Sequence, residues 1–307
     1  MKIHPWQQKA NITYLKNSKT ESIWTLVMPI FNQEKSIEKI LGKICENSEY
    51  HFDAILINDG SDDGTLKKLL RLPKIVKNKK INRIAVVNNN IPIFETACDN
   101  QGFKFSKTEF IIEIQSDIYI DDKGFDKKMI CAMNNFNLGA VSGRHVHNFS
   151  LIDPSKKKWL KYPLSYLKYN ILQLEKESFG RIGDKLFKRF KAGGNYCFIG
   201  ETVARGPWLV RRSDLKSLNY LDEKNFFLGN DDHDYHRRLY QSFNKLVGYV
   251  PLSIYSIPGN GSTRKKRAGI NGVVFNYLKS KKKGSKKFIQ FLENYKPYAA
   301  IKKYEFK

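Results

Sequence analysis

The stretch AILINDGSDDGT, residues 54–65, begins as an apolar run and then changes abruptly to acidic residues and glycine. Its three carboxylates, Asp59, Asp62 and Asp63, fall within five residues. The whole chain has a formal net charge of +24, so acid concentrated at this point requires a specific explanation. A short apolar run that ends in turn residues is typical of a buried strand. We therefore predict a strand whose carboxyl end opens onto a polar crevice.

Apolar runs of strand length alternate with helical periodicity on both sides of this stretch. Apolar residues recur at helical spacing within 33–47 and again within 94–105. Strands that alternate with helices imply parallel crossovers, and helices then cover both faces of the sheet. The predicted fold is therefore α/β with a central, mostly parallel sheet. The strands predicted for its first half are SIWTLVMPI (22–30), AILIN (54–58), RIAVVN (83–88), EFIIEI (109–114) and GAVSGR (139–144).

The second half of the chain follows this pattern less clearly. Residues 156–190 mix helical periodicity with lysine and aromatic residues, so we predict a variable helical segment there. A further helix is predicted to begin near Asp231, because apolar residues recur one turn apart after it. The run VGYVPLSIYSI (247–257) predicts a pair of late strands, and KKFIQFLENY (286–295) predicts an amphipathic helix.

Composition limits the class of protein. The chain has 307 residues, which suits one large domain or two small ones, and 41% hydrophobic with 13% aromatic residues exclude a disordered chain. No run of about 18 apolar residues occurs, and the first residues lack the apolar core of a signal peptide. Four cysteines lie far apart without a CxxC pair, so reduced thiols are expected. We expect a cytoplasmic protein, at most peripheral to a membrane.

The basic charge is concentrated in two regions. Residues 264–307 hold 14 lysines and arginines against two acids, an excess of +12, and residues 156–191 are also basic. Such patches attract phosphates, anionic lipid or nucleic acid. The abundance of Lys, Asn, Ile, Phe and Tyr is equally typical of an AT-rich genome, so mutational bias is an alternative explanation. The apolar residues between 288 and 295 predict that the tail either lies reversibly at an anionic membrane or packs on the protein.

Asp59 and Asp117 follow the second and fourth predicted strands. Because ligands in open α/β sheets bind beyond the carboxyl ends of the strands, we expect both at one crevice. Carboxylates there can accept hydrogen bonds from a base or ribose, or hold a divalent metal that neutralises phosphate. Mg²⁺ usually takes only one or two protein carboxylates, so Asp117 alone is sufficient. The alternative for Asp59, Asp62 and Asp63 is a turn or a helix cap before Thr65.

A third acidic cluster, formed by Asp231, Asp232 and Asp234, lies in the first turn of the helix predicted near residue 231. The helix dipole alone favours acid in a first turn, so a purely structural role is one interpretation. Three acids exceed what a cap requires, and a carboxylate in this position can remove a proton from an attacking hydroxyl. Both interpretations stay open at this point.

Four motifs occur in a characteristic order: LVMPIFNQE (26–34), ILINDGSDDGT (55–65), IIEIQSDIYI (111–120) and FFLGNDDHDYHRRL (226–239). Each is weak alone, but the ordered set resembles the family-2 inverting glycosyltransferases, which have the GT-A fold. The resemblance covers about residues 23–263, and NGSTR (260–264) is similar to the segment that often closes the family's domain. It implies metal-dependent transfer of a sugar from a nucleotide-sugar, in the first place a UDP-sugar, to a hydroxyl of a glycan, glycolipid or glycoprotein.

The resemblance also implies roles for individual residues. Asp232 stands at the position of the catalytic base, with Asp231 as the alternative, and Asp117 stands where the family holds Mn²⁺ or Mg²⁺. Arg264 begins a basic run that would stabilise the departing diphosphate. The residues implied to border the base, contact it, or meet the ribose and diphosphate are Pro29, Phe31, Glu34, Asp59, Gln115, Ser116, Asp117 and Arg264.

Two residues depart from the family pattern. Asn58 stands where the first acid of Asp-Asp-Gly-Ser is usual, and Gln115 stands where the first acid of Asp-x-Asp is usual. Gln115 reduces negative charge at the metal, so we expect an ion that has fewer protein ligands or is weakly held. The resemblance divides the chain into a lead-in (1–22), a GT-A domain (23–263) with a nucleotide-binding half (about 23–120) and an acceptor-side half (121–263), and a basic helical tail (264–307).

Other features compete with this interpretation. Neither His145 with His147 nor His233 with His236 has an evident third ligand, which disfavours a zinc site. The charge of +24 suggests a nucleic-acid-binding protein, but acid-lined strand ends would repel a phosphate backbone, so no specific nucleic acid is expected. A sugar nucleotidyltransferase would need a glycine-rich phosphate loop that is not evident near the first strand. Four aromatic residues either stack on sugar rings or pack in the core: Trp159, Tyr162, Tyr166 and Tyr169.

Overall fold

The computed structural model describes residues 11–18, 20–75, 80–149, 177–182, 185–190, 193–226, 229–257, 286–288 and 290–307. The strands are β1 (Asn11–Asn17), β2 (Trp24–Ile30), β3 (Phe52–Asp59), β4 (Ile81–Asn89), β5 (Phe110–Glu113), β6 (Ile118–Ile120), β7 (Ala140–Ser142), β8 (His145–His147), β9 (Glu177–Ile182), β10 (Lys185–Phe190), β11 (Tyr196–Gly200), β12 (Thr202–Ala204), β13 (Trp208–Arg211), β14 (Val247–Tyr249), β15 (Ile254–Ser256) and β16 (Lys302–Glu305). The helices are α1 (Ile37–Asn47), α2 (Thr65–Ile75), α3 (Glu95–Phe105), α4 (Phe125–Asn135), α5 (Arg212–Ser217) and α6 (Asp231–Phe243), and residues 286–288 and 290–293 are also helical.

A ten-stranded sheet forms the centre of the fold, in the order β1-β4-β3-β2-β5-β13-β7-β14-β11-β16. The strands β4, β3, β2 and β5 are mutually parallel. The chain moves from β2 outward to β3 and β4 and then returns to the other side of β2 with β5. The strand order therefore reverses between β2 and β5, and α/β proteins bind ligands outside the carboxyl ends of the strands at such a point.

The parallel strands form because their sequences are apolar on both faces. Every residue of β2 and of β3 is buried, as expected of strands that are covered on both sides. Leu26 and Met28 pack into a core with α1, α2 and α4, whereas Val27 points to the opposite face, where α3, α5 and α6 pack. Trp24 stacks on Phe52 with ring centroids 4.3 Å apart. The predicted α/β architecture with helices on both faces is confirmed.

The fifth predicted strand is present as β7, but it does not extend the parallel set from β5. The strand β13 lies between β5 and β7 and is antiparallel to both. It comes from sequence about 65 residues after β7. The local sequence of either strand does not predict this insertion. An apolar pattern indicates that a strand is buried, but it does not indicate which strand lies next to it in the sheet.

Three segments differ from the sequence-based expectation. Residues 11–17, predicted as part of a polar lead-in, form the edge strand β1, antiparallel to β4. Residues 177–190 were predicted to be helical but contain the antiparallel hairpin of β9 and β10. The sequence between these strands is Gly183-Asp184, a pair that favours a two-residue hairpin connection. The predicted helical tail contains the helical residues, but it ends in β16, which pairs with β11.

Candidate active site

The loops that follow β2 and β3 are joined by hydrogen bonds between side chains and backbone. Asn32 and Asp62 bond reciprocally, with the Asn32 amide donating to Asp62 Oδ1 at 2.6 Å and the Asp62 N–H donating to Asn32 Oδ1 at 3.1 Å. Asp63 accepts from the backbone of Glu34 at 3.2 Å and of Thr65 at 2.9 Å, at the start of α2. These bonds account for Asp62 and Asp63 as loop and capping residues.

Asp59 connects the end of β3 to the loop that follows β4. Its two carboxylate oxygens accept the backbone N–H groups of Ile93 at 2.6 Å and Phe94 at 3.0 Å. The residue is only 2% exposed. Asp59 thus shapes the crevice through this loop, and its contact with a nucleotide base stays a prediction.

The other residues predicted to border the base divide into two groups. Pro29 and Phe31 are buried, so their side chains belong to the core beneath the crevice. Glu34 is half-buried and supplies polar surface at this edge, as does the half-buried Asn32, which sequence reasoning did not single out. Glu34 accepts the N–H of Gly64 at 3.2 Å, and a Cβ at that glycine would overlap the Glu34 carboxylate. The hydrogen bond between Gly64 and Glu34 joins the loop after β3 to the loop after β2.

A turn between β5 and β6 carries the residues that resemble the end of Asp-x-Asp. The N–H of Ile118 donates to the Gln115 carbonyl at 3.1 Å, which closes the turn around Ser116 and Asp117. Ser116 is buried, whereas Asp117 is half-buried. The turn lies at the carboxyl end of β5, beside the point where the strand order reverses.

The structure explains both departures from the family pattern. The Gln115 amide donates to Glu95 Oε1 at 2.8 Å, a bond that an aspartate at position 115 could not make and that charge repulsion would oppose. Asn58 donates to Asn88 Oδ1 at 2.7 Å across β3 and β4, where the two residues are register partners. Each amide therefore makes a local hydrogen bond, and the one from Gln115 to Glu95 requires a donor that a carboxylate lacks.

A buried arginine, Arg205, organises the acids behind the crevice. Its guanidinium donates to Asp99 of α3 and to Asp231 at the start of α6, and it lies 3.9 Å from Glu95 Oε1. Thr96 also donates to Asp231 Oδ2 at 2.8 Å. Asp231 therefore holds α6 against α3, and the bonds from Arg205 and Thr96 occupy its Oδ2.

Asp232, the next residue of α6, has a different environment. It accepts the backbone N–H of His233 at 2.8 Å and lies 3.9 Å from the His233 Nε2, and no residue of α3 bonds to it among the described contacts. Burial raises the pKa of the Asp232 carboxyl, but His233 and Arg205 together outweigh burial, so the pKa is lowered from its ordinary value. An ionised carboxylate with an uncommitted oxygen is suited to accept a proton.

Glu113 and Asp99, which both lie near Arg205, carry less negative charge than two ionised carboxylates would. Glu113 is fully buried, and neither of its carboxylate oxygens has a hydrogen-bond partner within the described part of the chain. Burial raises its pKa well above the ordinary value, so we infer that Glu113 is protonated. Burial also raises the pKa of Asp99 to about 7, against the opposing effect of Arg205. Arg205 therefore faces fewer ionised carboxylates than the number of acids around it.

A chain of contacts joins motifs that are far apart in sequence. It runs from Gln115 to Glu95, then to Arg205, and then to Asp231. The turn after β5 and the start of α6, more than 100 residues apart, thus lie on one crevice. Gly229 and Asn230 bring the chain to α6 with φ of +85° and +62°, a region that glycine and asparagine tolerate best. Arg264 and the four aromatic residues between 159 and 169 lie outside the described residues.

Sequence reasoning missed several of these residues. Glu95 and Asp99 are four residues apart on α3, a spacing that places two acids on one helix face and could have been noticed. Arg205 and Thr96 gave no signal, because a single arginine or threonine is recognisable only through its partners. Glu113 lies within an apolar run, where it reads as an ordinary strand residue.

The residues of the crevice fit a divalent metal only if the substrate supplies most of the ligands. In the part of the chain that the structure describes, no group of three or more His, Cys, Asp or Glu side chains could hold a metal ion. Asp117 offers one half-buried carboxylate. Mg²⁺ commonly binds through one or two carboxylates and takes its other ligands from water and phosphate, so this donor set is compatible with a metal that arrives with a diphosphate.

A separate cavity of about 230 Å³ lies at the opposite, amino end of the parallel strands. Thr25, Asp53 and Arg83 from β2, β3 and β4 line it. Of the four sequence motifs, only the second contributes to this cavity, through its first residue, Ile55. Because α/β sheets bind ligands at the carboxyl ends of their strands, we place the candidate active site at the crevice and not at this cavity.

Residues 25–199 match the sequence profile of glycosyl transferase family 2. The chain belongs to this family. The match covers more than half of the chain and includes β2 from its second residue, the strands β3 to β5 and the turn at Asp117. The predicted family is therefore confirmed, and the predicted identity as a glycosyltransferase is confirmed at the level of the family.

Similar proteins place this family-2 chain among GT-A structures. The mannosyltransferase PcManGT from Pyrobaculum calidifontis, in complex with GDP-Man and Mn²⁺, is 11% identical, and the alignment covers 95% of this chain and 70% of that one with a TM-score of 0.56. TarS 1-349 from S. aureus, in complex with UDP-GlcNAc, is 14% identical over 88% of this chain and 71% of that one, with a TM-score of 0.51. At these identities the similarity establishes the fold, and the predicted GT-A fold is confirmed.

A curated relative matches only part of this family-2 chain. The undecaprenyl-phosphate 4-deoxy-4-formamido-L-arabinose transferase of Aeromonas hydrophila is 24% identical over 124 residues, which is 39% of this chain and 37% of that protein. The chain thus spans little more than a third of the length of this relative. Among the described residues, no helix is long and apolar enough to cross a membrane.

Proposed function

We propose that this protein transfers a sugar from a nucleotide-sugar donor to a hydroxyl acceptor and inverts the configuration at the anomeric carbon. The observation that carries the proposal is the contact chain from Gln115 through Glu95 and Arg205 to Asp231. It brings the turn with Asp117 and the helix start with Asp232 to the carboxyl ends of β2 and β5. A nucleotide diphosphate at the first and an acceptor at the second would meet in one crevice.

Asp232 is the proposed catalytic base. It removes the proton from the acceptor hydroxyl, the acceptor oxygen forms a bond to the anomeric carbon, and the bond from that carbon to the diphosphate breaks on the opposite side. Asp231 is less suited to this role, because Arg205 and Thr96 already bind its Oδ2. The lowered pKa of Asp232 keeps it in the ionised form that the step requires.

The proposed donor site is formed by the loop after β2 and the turn after β5. Glu34 and Asn32 border the base, Asp59 acts there through the loop that it holds, and Ser116 and Asp117 meet the ribose and diphosphate. Asp117 would hold Mn²⁺ or Mg²⁺, which would neutralise the charge of the departing diphosphate. Gln115 is proposed to position this turn through Glu95, and Arg264 is proposed to assist the leaving group.

A UDP-sugar is the proposed donor, and a glycan, glycolipid or glycoprotein hydroxyl is the proposed acceptor. The UDP-GlcNAc complex of TarS and the GDP-Man and Mn²⁺ complex of PcManGT are compatible with a nucleotide-sugar and a divalent metal. The name of the Aeromonas relative is compatible with a lipid-linked acceptor or donor. Any membrane contact is proposed to use the lysines of 264–307, because Phe288 and Leu292 are buried against Phe149.

A thermal-shift panel with UDP-, GDP- and dTDP-sugars, each with and without Mn²⁺, tests the proposal. We expect stabilisation by one nucleotide class that depends on Mn²⁺ and disappears in Asp117→Ala. Asp121→Ala is the matched control, because it removes a nearby carboxylate that pairs with Lys43 at 2.8 Å at the surface. Stabilisation that survives in Asp117→Ala, or that is lost equally in Asp121→Ala, would exclude Asp117 as the metal ligand.

A further inference from the structure

A chain of hydrogen bonds leads through the core to Asp232 and is not part of the proposed transfer step. Trp208 Nε1 donates to His236 Nε2 at 3.1 Å. His236 Nδ1 lies 2.9 Å from Thr202 Oγ1, and the same hydroxyl lies 2.7 Å from His233 Nδ1. The other nitrogen of His233, Nε2, faces Asp232 Oδ1 at 3.9 Å. We call Trp208, His236, Thr202 and His233 the donor chain.

All the hydrogen bonds of the donor chain can form only if each group donates in the direction from Trp208 to His233. An indole N–H can only donate, so His236 Nε2 must accept, and a neutral His236 then carries its proton on Nδ1. His236 Nδ1 donates to the Thr202 oxygen, and the single Thr202 proton is then directed to His233 Nδ1. A neutral His233 that accepts at Nδ1 carries its proton on Nε2, where it faces Asp232.

Burial supports the neutral state of both histidines. Trp208, Thr202 and His236 are fully buried, and burial lowers the pKa of His236 to about 3. Burial likewise lowers the pKa of His233, although Asp232 opposes this effect. The charged and titratable groups that face His233 and Asp232 from neighbouring elements are His147 of β8, Arg205 before β13, Asp99 of α3 and Glu113 of β5.

We propose that His233 is a positioning residue for Asp232, and that the donor chain fixes it in the tautomer whose Nε2–H faces the carboxylate. The inference rests on the proposed role of Asp232 as the base. At 3.9 Å the contact is a charge–dipole interaction and not a hydrogen bond, and it favours the ionised carboxylate. It also leaves Asp232 free to bond the acceptor hydroxyl.

The direction of the donor chain has a consequence for the proton. His233 Nε2 already carries hydrogen, and Trp208 cannot accept a proton at the far end. The donor chain therefore cannot carry the acceptor's proton away from Asp232. That proton must therefore leave Asp232 by a route that does not involve the donor chain.

Nuclear magnetic resonance of the full chain tests the proposal without a substrate. Long-range proton–nitrogen spectra of protein labelled with ¹⁵N-histidine report each tautomer, and single variants assign the six histidines. We expect the Nε2–H form for His233 and the Nδ1–H form for His236 at neutral pH. A His233 that is cationic, or that carries its proton on Nδ1, would overturn the proposal.

Titration of the Asp232 carboxyl carbon provides the second readout. In the unaltered protein we expect the pKa of Asp232 to lie below the ordinary value of an aspartate, and in His233→Phe we expect its titration midpoint to rise by about one unit or more, because burial is then less opposed. His233→Gln retains an N–H donor and should keep the low midpoint. An unchanged midpoint in a folded His233→Phe would overturn the proposal.

Thr202 offers a matched pair of variants if His233→Phe does not fold. Thr202→Val has nearly the same shape but interrupts the donor chain, so the single tautomer of His233 should be lost. Thr202→Ser keeps the hydroxyl and should keep the tautomer. A single Nε2–H tautomer in Thr202→Val would show that the donor chain does not set it. None of these readouts depends on sugar transfer, so a failure of the proposed function stays distinguishable from a failure of this inference.

Discussion

Replacing Asp231 and Asp232 separately with asparagine should lower stability in one variant and abolish catalysis in the other. The two residues are adjacent in the first turn of α6, and both substitutions remove one charge and keep the side-chain shape. Asp231 pairs with Arg205 and accepts from Thr96, whereas Asp232 accepts the backbone N–H of His233. The same chemical change therefore acts on two buried carboxylates, one that forms an ion pair with Arg205 and one that does not.

The magnitudes follow from these contacts. Breaking a buried ion pair costs about 3–5 kcal/mol, and the lower value applies to Asp231→Asn because the amide oxygen can still accept one hydrogen bond. At about 2 °C per kcal/mol for a chain of this size, the melting temperature should fall by about 6 °C. In Asp232→Asn the amide oxygen can keep the bond to His233, so we expect a change of less than about 1 kcal/mol. Removal of a general base should slow transfer by at least about 10²-fold.

Differential scanning fluorimetry measures the first effect, and release of nucleoside diphosphate from the donor identified by the thermal-shift panel measures the second. We expect Asp231→Asn to be destabilised and to retain transfer below its melting temperature, and Asp232→Asn to be stable and inactive with unchanged donor binding. The reverse pattern, with retained turnover in Asp232→Asn and lost turnover in a folded Asp231→Asn, would assign the base to Asp231 and refute this reasoning.

Three further outcomes are expected. Burial raises the pKa of Asp99 to about 7, so the folded protein binds a proton that the unfolded chain releases. The stability that this proton contributes is complete below about pH 4 and is lost as pH rises through 7. The free energy of urea unfolding should therefore differ less between pH 5 and pH 8 in Asp99→Asn than in the unaltered protein. Glu201 Oε1 accepts the N–H groups of Tyr298 at 2.6 Å and Ala299 at 3.1 Å. Glu201→Leu removes this acceptor and should increase hydrogen exchange at these amides, and unchanged exchange would contradict that role. Liposome co-sedimentation should show at most weak, salt-sensitive binding to anionic vesicles, and strong binding to neutral vesicles would contradict the packed position of the tail.

The parallel half of the fold was predictable because each strand carries its own signal. β2 and β3 are continuous apolar runs that end in turn residues, and the crossover helices between them show clear periodicity. β1 was not predictable in this way, because its exposed side chains give a polar pattern typical of a loop. The insertion of β13 between β5 and β7 depends on long-range pairing, which short windows of sequence do not encode.

The candidate site was predictable where its residues lie in short motifs. Asp117 and Asp232 were singled out by the resemblance of two short motifs, and their roles stay predictions, whereas Asp62 and Asp63 make the loop and capping contacts that the alternative interpretation described. Arg205 was not predictable, because its importance comes from acids on α3 and α6 that converge only in the folded chain. The same applies to the donor chain, whose members come from β12, β13 and α6.

A crystal structure of the protein with UDP and Mn²⁺ tests the central claim most directly. Anomalous scattering locates the metal independently of the nucleotide. We predict a Mn²⁺ peak bonded to an Asp117 carboxylate oxygen and to the diphosphate, with uracil beside Asn32 and Glu34 at the carboxyl ends of β2 and β5. UDP bound in the cavity lined by Asp53 and Arg83, or Mn²⁺ bound with no contact to Asp117, would contradict the account.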